Sequence, residues 1–396
     1  MGVSTGQGAT SAADVAGQAW FAGRRATEVV ECVDLRTEAS RVAAGGFWAV
    51  VGDFSGEVRA WRFASVARDG PGDTGTDRSM RGSRGDATGA AAPVWRGPGP
   101  DTWSTSLDQA AYLTAVDEIR ATIREGGVYQ ANLCRVLEAP LDVAPDGSEP
   151  SAEALSAIVG AGNPAPYSGG VHVPAASGFR PVWVVTASPE LFLRLDHGFL
   201  TSGPIKGTAS SAAGLTAKDE AENVMITDLV RNDLQRVCVP GTVEVLDLLS
   251  LERHPGLVHL VSRVRGRLSG QVAASPDLWA QILGATYPPA SVSGAPKAAA
   301  LSVIDRLEPV DRGPYCGVVG WIDSDAGRAE LAVAIRTFWW DASRHGSRGA
   351  LRFGTGAGIT WGSEAGAEWA ETELKAHRLV ALSSGVPVDD AEDWPS

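Results

Sequence analysis

Cysteine is scarce in this chain: four in 396 residues, at Cys32, Cys134, Cys238 and Cys316. None stands in a Cys-x-x-Cys spacing, which excludes the common zinc-ribbon and dithiol redox motifs. A chain this long can build its core without disulfides, so reduced thiols in a cytoplasmic protein are expected. Long apolar runs are also missing. No stretch approaches the roughly 18 apolar residues of a membrane span. The segment Met1 to Gly8 has no basic stretch leading into an apolar one, so no secretory signal is expected. Positive charge is in short supply too. Lys and Arg total 34 against 47 Asp and Glu, a formal net charge of -13. Such a surface repels nucleic acid and anionic membranes, and neither is expected as a partner. An anionic small molecule would need local cations or a metal at its site.

The remaining composition, 44% hydrophobic and 20% charged, is that of an ordinary globular protein. Residues 26–65 alternate apolar and polar and predict a strand meander. Residues 67–100 hold almost no large apolar side chains and read as a flexible insert. Helical spacing of Leu107, Ala111, Val116 and Ile119, stopped by Gly126-Gly127, predicts a helix over 106–126. Further helices are expected at 217–236, 275–284, 295–307 and 364–383. Strands are expected at 128–137, 182–186, 191–195, 199–200, 242–246, 258–265, 316–323, 329–338 and 350–353. The order lacks a regular βαβ alternation, which argues for α+β with large antiparallel sheets. The expected organisation is a reduced N-terminal segment (1–100), one catalytic unit (101–385) and a tail (386–396).

Several residues can carry chemistry. Lys206 sits in Ser202-Gly203-Pro204-Ile205-Lys206-Gly207-Thr208, between a residue that fixes φ and one that frees it. A lysine on a rigid turn beside a cleft can act as a nucleophile; a solvated turn lysine has the same local sequence. Glu190 opens a strand 16 residues earlier, and hairpin pairing would make the two an acid–nucleophile couple. Asp219 and Glu222 share one helix face, and Glu368 and Glu371 share another. The two pairs either converge on a hard divalent cation or are solvated faces. Arg336 and His259 each interrupt an apolar strand; the arginine suits a carboxylate or a structural ion pair. Gly354-Thr355-Gly356-Ala357-Gly358 follows a strand and fits neither a P-loop nor a dinucleotide fingerprint. A carboxylate cradle and a tight turn both remain open.

Taken together, the motifs resemble the chorismate-utilising enzymes: anthranilate synthase component I, aminodeoxychorismate synthase component I, isochorismate synthase and salicylate synthase. The matching blocks run in the family's order over roughly residues 105–380. They include Tyr129-Gln130-Ala131-Asn132, Ser188-Pro189-Glu190-Leu191-Phe192, Lys218-Asp219-Glu220-Ala221-Glu222-Asn223, Pro288-Pro289-Ala290-Ser291-Val292-Ser293-Gly294-Ala295-Pro296-Lys297 and Ala367-Glu368-Trp369-Ala370-Glu371-Thr372. The resemblance implies antiparallel sheets packed as a sandwich with helices outside. It also points to a subfamily. Anthranilate synthases typically carry alanine where Lys206 stands, and aminodeoxychorismate synthases typically carry Pro-Ile-Lys-Gly-Thr. The resemblance therefore implies conversion of chorismate and ammonia to 4-amino-4-deoxychorismate, for 4-aminobenzoate and folate. Lys206 would be the covalent nucleophile and Glu190 the acid. Mg²⁺ would be held by Glu222 and Glu371, with Asp219 and Glu368 acting through water. His259, Thr286, Tyr315, Arg336, Gly356, Ala357, Gly358 and Lys375 would contact substrate. The chain has no Gly-x-Cys-x-Gly elbow, so ammonia is expected from a separate glutamine amidotransferase subunit. Alternatives are anthranilate or isochorismate synthesis, or an inactive binding subunit. Thr208-Ala209-Ser210-Ser211 departs from the Thr-Arg-Pro-Arg of many relatives.

Overall fold

The computed structural model describes residues 16–68, 94–144, 146–209, 211–254, 257–344 and 349–386. The expected frayed N-terminus, most of the polar insert, Ser210 and the tail beyond residue 386 lie outside the described residues.

Alternating apolar residues form strands, and among the described residues every strand pairing is antiparallel. The pairings trace one continuous ladder. It starts at Ser104–Thr105 and Gln130–Pro140, then passes through Ala350–Ile359, Thr337–Asp341, Val182–Ser188 and Tyr167–Val173. It enters the N-terminal strands Gln18–Phe21, Arg24–Asp34, Val58–Arg68 and Phe47–Gly52. From there it returns through Val318–Asp323, Arg328–Val333, Leu191–Asp196 and Phe199–Gly203 to Leu257–Arg267. That last strand also pairs with Ile205–Ala209 and Glu244–His254. The two ends of the ladder face each other: Lys206, at one end, lies 3.5 Å from Asn132, at the other. A twisted sheet this long folds back on itself and makes the two layers of the α+β sandwich.

Helices cover the outside. Ala217–Gln235 and Leu278–Thr286 bury Ile226, Leu234, Ile282 and Leu283 in the largest apolar cluster, with Trp48, Trp61, Leu193 and Val264. Ala152–Gly162 and Ala365–Ser383 cover Trp183, Phe338 and Phe353. Gln109–Arg124 and Lys297–Leu307 cover Leu133, Ala357 and Ile359. Helix Ala217–Gln235 begins where Thr216 and Asp219 form a reciprocal capping box. All four cysteines are free, and no helix among the described residues is long and apolar enough to cross a membrane.

Three expectations need correction. The expected strand at 329–338 is two strands, Arg328–Val333 and Thr337–Asp341, because Arg336 between them adopts a left-handed φ of 52°. The strands expected at 242–246 and 350–353 run on to His254 and Ile359; register shifts around Asp247 and Ser250 break the alternation in the first, and the small residues of Gly354–Gly358 hide it in the second. Helix Ala152–Gly162, missed in the sequence, is built mostly of Ala and Gly, whose periodicity is weak.

Candidate active site

The hairpin of Leu191–Asp196 and Phe199–Gly203 pairs Gly203 with Leu191. That register brings Glu190 beside Pro204-Ile205-Lys206, and the Ile205 backbone N–H donates to the Glu190 carboxyl. Glu190 is 3% exposed. Burial pushes its carboxyl up to about 7, against the opposing pull of the Ser291 hydroxyl, Lys206, the Ile205 N–H and Lys375. It therefore exchanges its proton near neutrality rather than in the acid range of an ordinary carboxyl.

Lys206 is re-aimed by a bulge. Lys206 sits opposite Leu260 and Thr208 opposite His259, so Gly207 is the extra residue, at φ +79°. A Cβ there would lie 2.8 Å from the Asp219 Cβ. Glycine is needed again across the cleft: a Cβ on Gly358 would lie 2.9 Å from Lys206 Nζ. Lys206 Nζ donates to Asn132 Oδ1 at 3.5 Å. The Asn132 backbone carbonyl accepts from the buried Arg312, which also pairs with Glu308.

The two helices meet at the other wall. Glu222, Glu368 and Glu371 converge there, and two lysines stand among them. Lys218 Nζ is 2.8 Å from Glu368 and 3.7 Å from Glu222; Lys375 Nζ is 2.6 Å from Glu371 and 3.0 Å from the Gly356 carbonyl. Burial raises the Glu222 carboxyl, with Lys206 and Lys218 resisting; for Glu371 burial also pushes upward, but Lys375 outweighs it and the net shift is down. Both ammoniums are raised: burial opposes their charge, and Glu368 for Lys218 and Glu371 for Lys375 outweigh it. The oxygen-only donor set suits a hard divalent cation such as Mg²⁺. Among the described residues no three ligands close to metal-binding distance; the Lys218 ammonium lies between Glu368 and Glu222, and that of Lys375 pairs with Glu371. Asp219 lines the cleft, but its carboxylate accepts from Thr216 N at 2.8 Å and Thr216 Oγ1 at 2.7 Å. It caps the helix.

Arg336 is 9% exposed, and its guanidinium donates to His259 Nε2 at 2.8 Å. Burial lowers it to about 10, and no carboxylate pairs with it among the described residues. A buried cation lacking an anion is a ready receptor for a substrate carboxylate. His259, Tyr315, Arg336, Gly356, Gly358 and Lys375 all line the same cleft as Lys206 and Glu190, which encloses ≈ 900 Å³ out to its open mouth.

Two expected contacts are placed elsewhere. The Thr286 hydroxyl donates back to the Ile282 carbonyl at 2.8 Å, and the residue lines a smaller cavity behind Glu190 and Ser291. Ala357 points into the cluster with Tyr112 and Leu133, because strand alternation sets it on the face opposite Gly356 and Gly358. Asn132, Ser291 and Lys218 line the cleft without having been singled out. One signal was available for Lys218. The chain has only four lysines, Lys206, Lys218, Lys297 and Lys375, among 34 basic residues. Three of the four line this cleft.

Residues 90–381 match the family model described as chorismate binding enzyme. The chain is 34% identical over 298 residues to anthranilate synthase component 1 of Saccharolobus solfataricus, covering 72% of this chain and 64% of that protein. It is 32% identical over 291 residues to aminodeoxychorismate synthase component 1 of Salmonella typhimurium, covering 70% of this chain and 58% of that one. The chain thus spans less than two thirds of either relative's length. In fold it is similar to a putative 2,3-dihydroxybenzoate-specific isochorismate synthase from Bacillus anthracis, with a TM-score of 0.71 at 20% identity over 94% of this chain and 97% of that one. By the matched model and these relatives, the chain belongs to the chorismate-binding enzyme family.

Proposed function

We propose that this chain aminates chorismate at C4, as the chorismate-binding component of an aminodeoxychorismate synthase. The observation that carries the reading is Lys206, re-aimed by the Gly207 bulge into the cleft beside a carboxyl that burial raises to about 7. Relatives named for anthranilate and for aminodeoxychorismate synthesis are about equally similar. Overall identity therefore does not choose between them, and the choice rests on that lysine.

In this reading Arg336, with His259 against it, receives the enolpyruvyl carboxylate, and Tyr315 and Lys375 line its path. The Lys206 amine attacks C2 while the ring double bonds shift and the C4 hydroxyl departs. Glu190 gives that hydroxyl its proton, so water leaves rather than hydroxide. Ammonia then adds at C4, the double bonds shift back, and the C2–Nζ bond breaks. Two displacements place the amine at C4. Mg²⁺ held by Glu222, Glu368 and Glu371 would supply positive charge for the ring carboxylate. Ammonia would come from a separate glutamine amidotransferase, and the product would feed 4-aminobenzoate and folate.

Incubating the purified chain with chorismate, Mg²⁺ and ammonium, and identifying products by mass, tests the reading. An ammonium-dependent product that a lyase turns into 4-aminobenzoate supports it. Isochorismate formed without ammonium would refute it.

A further inference from the structure

Lys218 is placed where a helix resists a cation. It is the second residue of helix Ala217–Gln235, in the first turn, where the helix dipole disfavours positive charge. It is nevertheless drawn inward, to Glu368, Glu222 and the Ser363 hydroxyl at 3.3 Å. Glu368 explains why. Its side chain is 4% exposed, and Lys218 is the one basic side chain paired with it among the described residues. Three carboxylates from two helices repel one another, and a buried carboxylate without a counter-charge is costly. The other lysine of the cluster is anchored differently. Lys375 is tied to the Gly356 carbonyl of the strand Ala350–Ile359 as well as to Glu371. Lys218 has only the carboxylates and one hydroxyl, and at 39% exposed it has a path to solvent.

We infer that Lys218 is a built-in stand-in for the metal ion: it closes the acidic cluster when no metal is bound and yields Glu368 and Glu222 when one binds. An ammonium and a divalent cation cannot share the same oxygens without repulsion, so the lysine competes with the metal. It keeps the empty site from pushing its two helices apart, and it weakens metal binding by the same interaction. This rests on the proposed Mg²⁺ site.

The test compares wild type, Lys218→Met, Lys218→Arg and Glu371→Gln by Mg²⁺ calorimetry, and by thermal melting in EDTA and in saturating Mg²⁺. Lys218→Met should bind Mg²⁺ about tenfold more tightly or better, the scale of one screened charge pair at a partly exposed site. It should melt below wild type in EDTA and regain most of the difference in Mg²⁺. Lys218→Arg should stay near wild type in both respects, and Glu371→Gln should bind Mg²⁺ poorly. If Lys218→Met is soluble only with Mg²⁺, the inference stands. If it is insoluble in both conditions, Lys218→Gln, which keeps a hydrogen bond without the charge, must meet the same two expectations. Unchanged or weaker Mg²⁺ binding by the uncharged variant, with wild type binding normally, would overturn the inference alone. Wild type that binds no Mg²⁺ would overturn the metal reading and the inference with it.

Discussion

A buried carboxyl that titrates near neutrality is the sharpest single-residue feature of the cleft. The shift of Glu190 from 4.5 to about 7 has a definite sign for stability. The native state binds the proton more tightly than the unfolded chain, so stability falls as pH rises from about 4.5 through about 7. Glu190→Gln removes that dependence. Relative to wild type it should gain stability between pH 5 and 8, by at most about 3 kcal/mol; melting curves across that range check this. If Glu190 delivers the leaving group's proton, turnover should decline above about pH 7, and Glu190→Gln should lose about 10²-fold or more in kcat. Arg336 gives a second, opposite test. Its buried charge has no carboxylate partner among the described residues, so Arg336→Met should leave the unliganded protein at least as stable. It should raise the KM for chorismate by about 10- to 100-fold, the worth of a charged hydrogen bond. A large fall in melting temperature with an unchanged KM would show a structural role instead. Both residues were legible in the sequence, as an acid at a strand start and a base interrupting an apolar run. For Lys218 only the scarcity of lysine was a signal; its role was not legible, because it depends on Glu368, 150 residues away.

At the scale of elements, two glycines set where Lys206 points. Gly207 is a bulge at φ +79°, and an added Cβ would press on the Asp219 Cβ at 2.8 Å. Gly207→Ala should cost about 1–3 kcal/mol in stability through the strained backbone, and should lower activity further by shifting the lysine. Gly358→Ala behaves differently. Its Cβ would meet only side-chain ends, Gln130 Nε2 at 2.7 Å and Lys206 Nζ at 2.9 Å, which can give way. That variant should melt near wild type yet lose most of its turnover, a separation that circular dichroism and a steady-state assay would show. The glycine-rich run could be read in the sequence, but its purpose could not. It is a continuous strand, Ala350–Ile359, paired over its whole length with Gln130–Pro140. Its missing side chains leave room for Lys206 and for the Tyr315 ring. The break at Arg336 was equally hidden, since no local residue pattern demands a left-handed backbone there.

Over the whole molecule, the α+β class and most elements followed from periodicity, because each is set by neighbours in sequence. The closure of the ladder did not. Lys206 meets Asn132 only because strands at opposite ends of a long antiparallel path fold face to face, and local spacing carries no trace of that. The family's motifs supplied it instead, since they mark residues that converge from several elements upon one cleft. That convergence makes one claim central: the lysine, rather than free ammonia, first attacks the ring. The direct measurement is product identity for wild type and Lys206→Ala, each supplied with chorismate, Mg²⁺ and ammonium. Aminodeoxychorismate from wild type, with none or a redirected product from Lys206→Ala, is the predicted result. Aminodeoxychorismate from Lys206→Ala at the wild-type rate, or anthranilate from wild type, would contradict the account.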